Sequence, residues 1–187
     1  MNINYFKHFA EYEGNVDHMY LDGAGLVTIG VGCLIMDPTT VPLVNRETNL
    51  LATRAEAFSD YNAVKALPGD RAASYYGKVC RTYLPDAAIR RLFDARLADF
   101  IRRINDAVTP LERLPEQVQL AVVDMAFNLG VSGLAHKFPR FMNALRAGDW
   151  HGCSLECRRV GISNDRNEWT RRQFEGAAPS DETRGVV

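Results

Sequence analysis

The sequence predicts an α+β fold, and three observations predict it. Two short β-prone runs, Met19-Tyr20-Leu21 and Leu26-Val27-Thr28-Ile29, flank the turn-forming string Asp22-Gly23-Ala24-Gly25 and read as a hairpin. From residue 86 onward, apolar side chains recur instead at helical spacing through one segment after another. The length of 187 residues suits one large domain or two small lobes sharing a core. The chain is therefore read as a single domain, 1–187. It has a small hairpin-sheet N-terminal lobe over 1–85 and a helical C-terminal lobe over 86–187.

Taken in order, Tyr5, Phe6 and Phe9 fall on one face of a first helix, and Gly14 after Glu13 is a natural left-handed stop. The hairpin follows. Residues 34–81 are the least readable part, with Asp37-Pro38 and Val41-Pro42 breaking regular structure. Within them, Ala57, Phe58, Tyr61 and Val64 keep a helical rhythm from about Thr53 to Leu67, and Thr53 with Glu56 forms a capping box. Pro85-Asp86 opens a long helix whose apolar stripe lasts to about Asp106. Its other face carries arginines and aspartates, a solvated surface.

Pro110 and Pro115 bracket a short connection. Glu116–Leu129 is apolar on nearly all sides, as a helix in the middle of a core must be, and stops at Gly130. Phe138–Ala147 and Trp150–Arg159 read as two helices separated by Gly148, with Asp149 as N-cap. The last helix is placed at Asp165–Glu175, with Asp165 and Glu168 as its capping box and Gly176 as its stop. Residues 177–187 are polar and read as a frayed end.

Chemistry concentrates in the first of these elements. One carboxyl group, Glu13, sits at a helix end; a second, Asp22, sits at a turn; a hydroxyl, Thr28, lies on the returning strand. Cleaving a glycosidic bond requires one carboxyl group that keeps a proton for the leaving oxygen and one ionised carboxylate acting from the other face of the sugar. The negative end of a helix disfavours ionisation, which suits Glu13 to the first role. Asp22, among flexible glycines, suits the second, and Thr28 is placed to hold the attacking water.

The spacing carries a resemblance. Glu13, eight residues, Asp22, five residues, Thr28 and then Ile29-Gly30-Val31-Gly32 resembles the active-site signature of phage-type lysozymes, the muramidases of glycoside hydrolase family 24. Residues 1–36 and 82–176 follow that family, including the strings DMAFNLG at 124–130 and LRAGDW at 145–150. Glu11, the neighbouring acid, precedes no glycine and breaks the spacing. The resemblance implies a lysozyme-like α+β fold in which the long helix joins the two lobes and floors a cleft. It implies inverting hydrolysis of the β-1,4 bond between N-acetylmuramic acid and N-acetylglucosamine in peptidoglycan, with no metal or other cofactor. It places Leu34, Phe127 and Asn128 toward the substrate, and Arg166 behind the catalytic acid as a partner of Glu13. Such a cation would favour the ionised carboxylate and work against the helix end.

The chain departs from the pattern in three places. Cys33 stands where the family commonly has His; Phe141 stands where it often has a small polar residue; and residues 37–81 read as an insertion.

Composition excludes several classes. The net charge of −1 is spread evenly, with 15 basic and 14 acidic side chains in residues 86–187, so no basic face offers itself to nucleic acid. No run is long enough to span a membrane, and the N-terminus does not read as a signal peptide. The expected place of action is peptidoglycan of the periplasm or wall, reached after release or by delivery machinery, by a monomer made in the cytoplasm. Cys33, Cys80, Cys153 and Cys157 read as free thiols in the core; His151, Cys153 and Cys157 lack a second ligand pair at zinc-like spacing.

Beside a phage or prophage endolysin in host lysis, two other functions are compatible with the chain. One is an antibacterial effector with the same activity and a cognate immunity protein. The other is a non-catalytic wall-binding module, which has no physical need for Glu13, Asp22 and Thr28 together.

Overall fold

The computed structural model describes residues 3–178. The chain divides into two compact units, one of Asn4–Ala98 and one running from Asp99. Helices α1 (Tyr5–Glu13), α2 (Arg54–Lys65) and α3 (Ala73–Tyr76) and strands β1 (Val16–Leu21), β2 (Val27–Gly30), β3 (Cys33–Leu34), β4 (Val44–Asn45) and β5 (Thr82–Tyr83) belong to the first unit. Helices α5 (Glu116–Leu129), α6 (Val131–Lys137), α7 (Pro139–Ala147), α8 (Trp150–Glu156) and α9 (Asn164–Glu175) belong to the second. The boundary falls inside the long helix α4 (Asp86–Ala107). Helices with a small antiparallel sheet make this the α+β, lysozyme-like fold that the sequence predicts.

In the first unit, the Asn4 side chain caps α1 by accepting from the Lys7 amide at 3.0 Å. Phe6 and Phe9 then meet Phe93 of α4 with ring centroids 5.4 and 5.9 Å apart. Gly14 ends α1, its amide donating to Ala10 O, yet it is not in the left-handed helical region. At φ 78° and ψ 168° it occupies an extended conformation that is open essentially to glycine alone, which turns the chain straight into β1.

The expected hairpin is present and gains a third strand. The sheet runs β1-β2-β3, all antiparallel, with Tyr20 opposite Thr28, Thr28 opposite Leu34, and Ile29 opposite Cys33. Gly30 and Gly32, both at positive φ, make the tight β2–β3 turn. A Cβ on Gly30 would also stand 3.0 Å from Ile89 Cγ2 of α4, so the turn can press directly on that helix.

Residues 37–81 fold against the sheet. Thr53 and Glu56 cap α2 reciprocally, as expected: Thr53 Oγ1 accepts from Glu56 N, and Glu56 Oε2 accepts from Thr53 N at 2.7 Å. The helix ends at Lys65, two residues before the expected Leu67. Buried Asp60 on α2 accepts from the Thr82 amide and hydroxyl at 2.8 and 2.7 Å, tying the segment to β5, which pairs with β4. His18 of β1 bridges Asp17, at 2.8 Å, and the Ala73 carbonyl of α3, at 2.9 Å. Pairs two residues long carry no readable period, so β4 and β5 escape a sequence reading.

In the second unit α5 is the core helix: Val118 and every residue from 121 to 126 are buried. Helix α6, unforeseen, fills the interval before Pro139. Asp149 caps α8 as expected, accepting from Gly152 N at 2.9 Å. That helix stops at Glu156 rather than Arg159, and residues 157–163 form an irregular connection.

The start of α9 corrects the sequence reading. Its N-cap is Ser163, whose hydroxyl accepts from Arg166 N at 3.2 Å. Asp165 is exposed inside the first turn, and Glu168 bonds Arg171 and Arg172 instead of reaching back. Residue 176 ends α9 with right-handed, not left-handed, geometry. The polar end expected over 177–187 lies, from residue 179, outside the described residues. All four cysteines are free and buried, as expected.

Candidate active site

The hairpin turn fixes Asp22 by local hydrogen bonds alone. Its Oδ1 accepts from the amides of Ala24 and Leu26, both at 2.9 Å, while its own amide donates to Leu26 O at 3.0 Å. An aspartate that bonds its backbone two residues on is a standard turn device, and here it also immobilises the carboxylate. With Oδ1 saturated by amides, Oδ2 points the remaining acceptor capacity away from the turn. Asp22 is half-buried.

Thr28 lies beneath it on β2. Its hydroxyl is 3.2 Å from Leu26 O and 3.5 Å from Asp22 Oδ2. The nearer acceptor for the single hydroxyl proton is Leu26 O, and with the proton there the Oγ1 lone pairs are left toward Oδ2. Thr28 is 2% exposed, so it has little freedom to turn elsewhere.

Register settles which side chains share this face. Residues directly opposite in an antiparallel pair lie on one side of the sheet, so Tyr20, Thr28 and Leu34 form one row across the three strands. Asp22, two residues beyond Tyr20, continues the same face, since side chains alternate with a period of two. Leu34, expected to face substrate, is thereby in line with Thr28; its carbonyl accepts from Arg96 of α4 at 3.1 Å. The Ile29–Cys33 row points the opposite way, into the core. Burial there pushes the Cys33 thiol up to about 11, against a smaller opposing pull from Arg96, so Cys33 supplies a neutral group.

Glu13 is the last residue of α1 and is half-buried. Tyr20 senses both acids: burial first, then the charges of Glu13, Asp22 and Cys33, pushes its phenol up to about 12. The two carboxyl groups expected to act therefore lie close enough to one tyrosine to act on it together. Sequence reasoning passed Tyr20 over as a β-former. The signal that would have found it is its spacing of two from Asp22.

The remaining site residues expected from the resemblance belong to the second unit. Phe127 is half-buried, with its ring edge-on to Phe100 at 5.9 Å, and Asn128 is exposed at the end of α5. Arg166 is buried on α9 and donates from Nε and one terminal nitrogen to Asp124 Oδ1 at 3.0 and 2.8 Å. Asp124 Oδ2 accepts from Arg159 at 2.8 Å, and Arg159 donates to the Thr170 hydroxyl at 2.6 Å. This four-residue network was not anticipated, although Asp124 opens the DMAFNLG string.

Among the described residues, no group of three or more His, Cys, Asp or Glu side chains is placed to hold a metal ion. Among them too, no single helix is long and apolar enough to cross a membrane.

The sequence model of one family, phage lysozyme, matches residues 10–173. No curated protein matches the chain.

Proposed function

Because the chain belongs to the phage lysozyme family, whose members are glycoside hydrolases acting on peptidoglycan, we propose that it is a muramidase of the endolysin type. It cleaves the β-1,4 bond between N-acetylmuramic acid and N-acetylglucosamine. It reaches the wall or periplasm after release or delivery, and serves a phage or prophage in host lysis.

In this reading Glu13 is the general acid that protonates the leaving glycosidic oxygen. Asp22 and Thr28 handle the water. A water molecule between Asp22 Oδ2 and Thr28 Oγ1 donates one hydrogen to each, so that its lone pair is left for the anomeric carbon. As that carbon is attacked, Asp22 takes the proton and its charge offsets the positive charge developing on the sugar. Water attacking from the face opposite Glu13 inverts the configuration. The observation that supports this most directly is the division of labour on Asp22: amides saturate one oxygen, and the other shares its space with the Thr28 hydroxyl.

The test is turbidity loss of purified peptidoglycan, with products identified by mass and by the anomeric signal at the new reducing end. Muropeptides ending in reducing N-acetylmuramic acid, initially as the α anomer, and absent with Glu13→Gln, establish the chemistry and its acid. A folded protein that leaves the wall intact from about pH 4 to about pH 9, a range that contains ordinary Glu and His ionisation, would sink the reading.

A further inference from the structure

Tyr20 stands among the proposed catalytic groups without any part assigned to it. It pairs with Thr28 across the β1–β2 hairpin, shares its face with Leu34 on the far side of Thr28, and precedes Asp22 by two residues on that same face. Its ring is half-buried. Among the described residues its hydroxyl takes no hydrogen bond: it is absent from the polar contacts of the sheet and the turn.

A phenol so placed has a definite chemical character. Burial and the two carboxylates hold it neutral far above physiological pH, so it keeps its proton and remains a donor. Every other polar group on this face is of the opposite kind. Asp22 Oδ2 is an acceptor, and the one Thr28 proton is taken within the protein, by Leu26 O or Asp22 Oδ2, so Thr28 too presents lone pairs. A glycan carries hydroxyls, which such acceptors bind well. It also carries acetamide carbonyl and ring oxygens, which only accept and which this face would otherwise repel.

We propose that Tyr20 is a further substrate-contacting residue, its phenolic O–H donating a hydrogen bond to an acceptor-only oxygen of the glycan, such as an acetamide carbonyl, lying along the Tyr20–Thr28–Leu34 row. The assignment rests on the muramidase reading and adds to it the one donor that the row supplies. Leu34, at the other end of the row, offers an apolar surface to the same sugar.

The experiment compares the wild type with Tyr20→Phe, which keeps the ring and its packing and removes only the hydroxyl. One ordinary hydrogen bond corresponds to roughly a 3- to 10-fold change in kcat/KM on purified peptidoglycan. That is the fall expected, at an unchanged melting temperature. In parallel, the wild type is labelled with 13C at the tyrosine Cζ and titrated with a hexamer of N-acetylglucosamine, the Tyr20 signal being identified by its absence from the variant. The signal is expected to move, and the variant to bind the hexamer several-fold more weakly. Equal kcat/KM within twofold, or a Tyr20 signal that stays still while the hexamer binds, overturns the assignment. A wild type that binds the hexamer through Tyr20 but leaves peptidoglycan intact removes the muramidase reading and keeps the contact. A wild type that does neither removes both.

Discussion

Two aspartates, one in each unit, show how differently the same side chain is used. Asp22 is half-buried and is held by amides two and four residues away. Asp124 is fully buried and is held by guanidinium groups 35 and 42 residues away. The first carboxylate keeps one oxygen off the amides, with only the Thr28 hydroxyl at 3.5 Å, and is half-buried, so its charge is available to a reaction. The second has both oxygens committed to Arg159 and Arg166, so its charge is spent on fixing α5, α9 and the irregular connection between α8 and α9. Taking charges out of water costs several kcal/mol per ion and is tolerated only when each is matched. That cost is why the buried aspartate is surrounded by partners, and the half-exposed one needs only amides.

The largest effect expected from this contrast is on stability. Asp124→Asn removes the negative charge between two buried arginines, one of which, Arg159, is 2% exposed and has an unpartnered Nε among the described residues. Breaking such a buried ionic arrangement costs about 3–5 kcal/mol, and for a chain of this size roughly 6–20 °C in melting temperature. Thermal and urea denaturation read the change directly. A variant as stable as the wild type would show that the guanidinium groups find other partners and that Asp124 is no keystone.

Asp22→Asn should do the reverse. The amide oxygen still accepts from Ala24 and Leu26, so the turn survives and stability changes by less than about 0.5 kcal/mol. The lost charge and basicity lower muramidase turnover by at least about 100-fold. Loss of stability in step with activity would mean that the turn, and not the chemistry, needs the carboxylate. The pair of variants thus sorts the two aspartates by which quantity each one moves.

Thr28 sharpens the same comparison at smaller magnitude. Thr28→Val preserves volume and β-branching while deleting the lone pairs that face Asp22 Oδ2. Activity should fall about 10-fold, with Thr28→Ser retaining most of it. Leu26 O keeps its bond from the Asp22 amide, so the strand itself is little disturbed. If valine were tolerated and serine were not, the methyl group and not the hydroxyl would be the functional part.

Local features of this kind were open to a sequence reading. The hairpin turn, the Thr53–Glu56 capping box, the Asp149 cap and both ends of α5 follow from residues within one or two turns of each other. The spacing of Glu13, Asp22 and Thr28 belongs to the same class. What escaped depends on partners distant in the chain or on elements too short to show a period. The Asp124 network joins residues up to 46 apart, and β3, β4 and β5 are two residues each. Tyr20 lies between the two cases. Its spacing from Asp22 was visible, but its place beside Thr28 needed the register of the hairpin.

The start of α9 offers the finest test of that distinction, because two residues competed for one role. Asp165 with Glu168 has the composition of a capping box, and Ser163 two positions earlier has no matching acid or amide three residues on. The fold nevertheless caps with Ser163, in extended conformation with its hydroxyl on the Arg166 amide, and leaves Asp165 in the first turn. One reason is visible in the ion pairs. Glu168 faces Arg171 and Arg172 on its own helix, so it cannot also reach back to an N-cap amide. The earlier start also puts the backbone of residue 166 inside the first turn, from which its side chain reaches Asp124. Ser163→Ala is therefore expected to cost about 1 kcal/mol, whereas Asp165→Ala loses only a favourable charge near the helix start, about 0.3–0.5 kcal/mol at low salt and less as salt is raised. Should the aspartate prove the costlier of the two, α9 begins two residues later in solution. Arg166 would then be the first residue of the helix after an Asp165 cap, and the support of Asp124 by α9 would be weaker than the geometry implies.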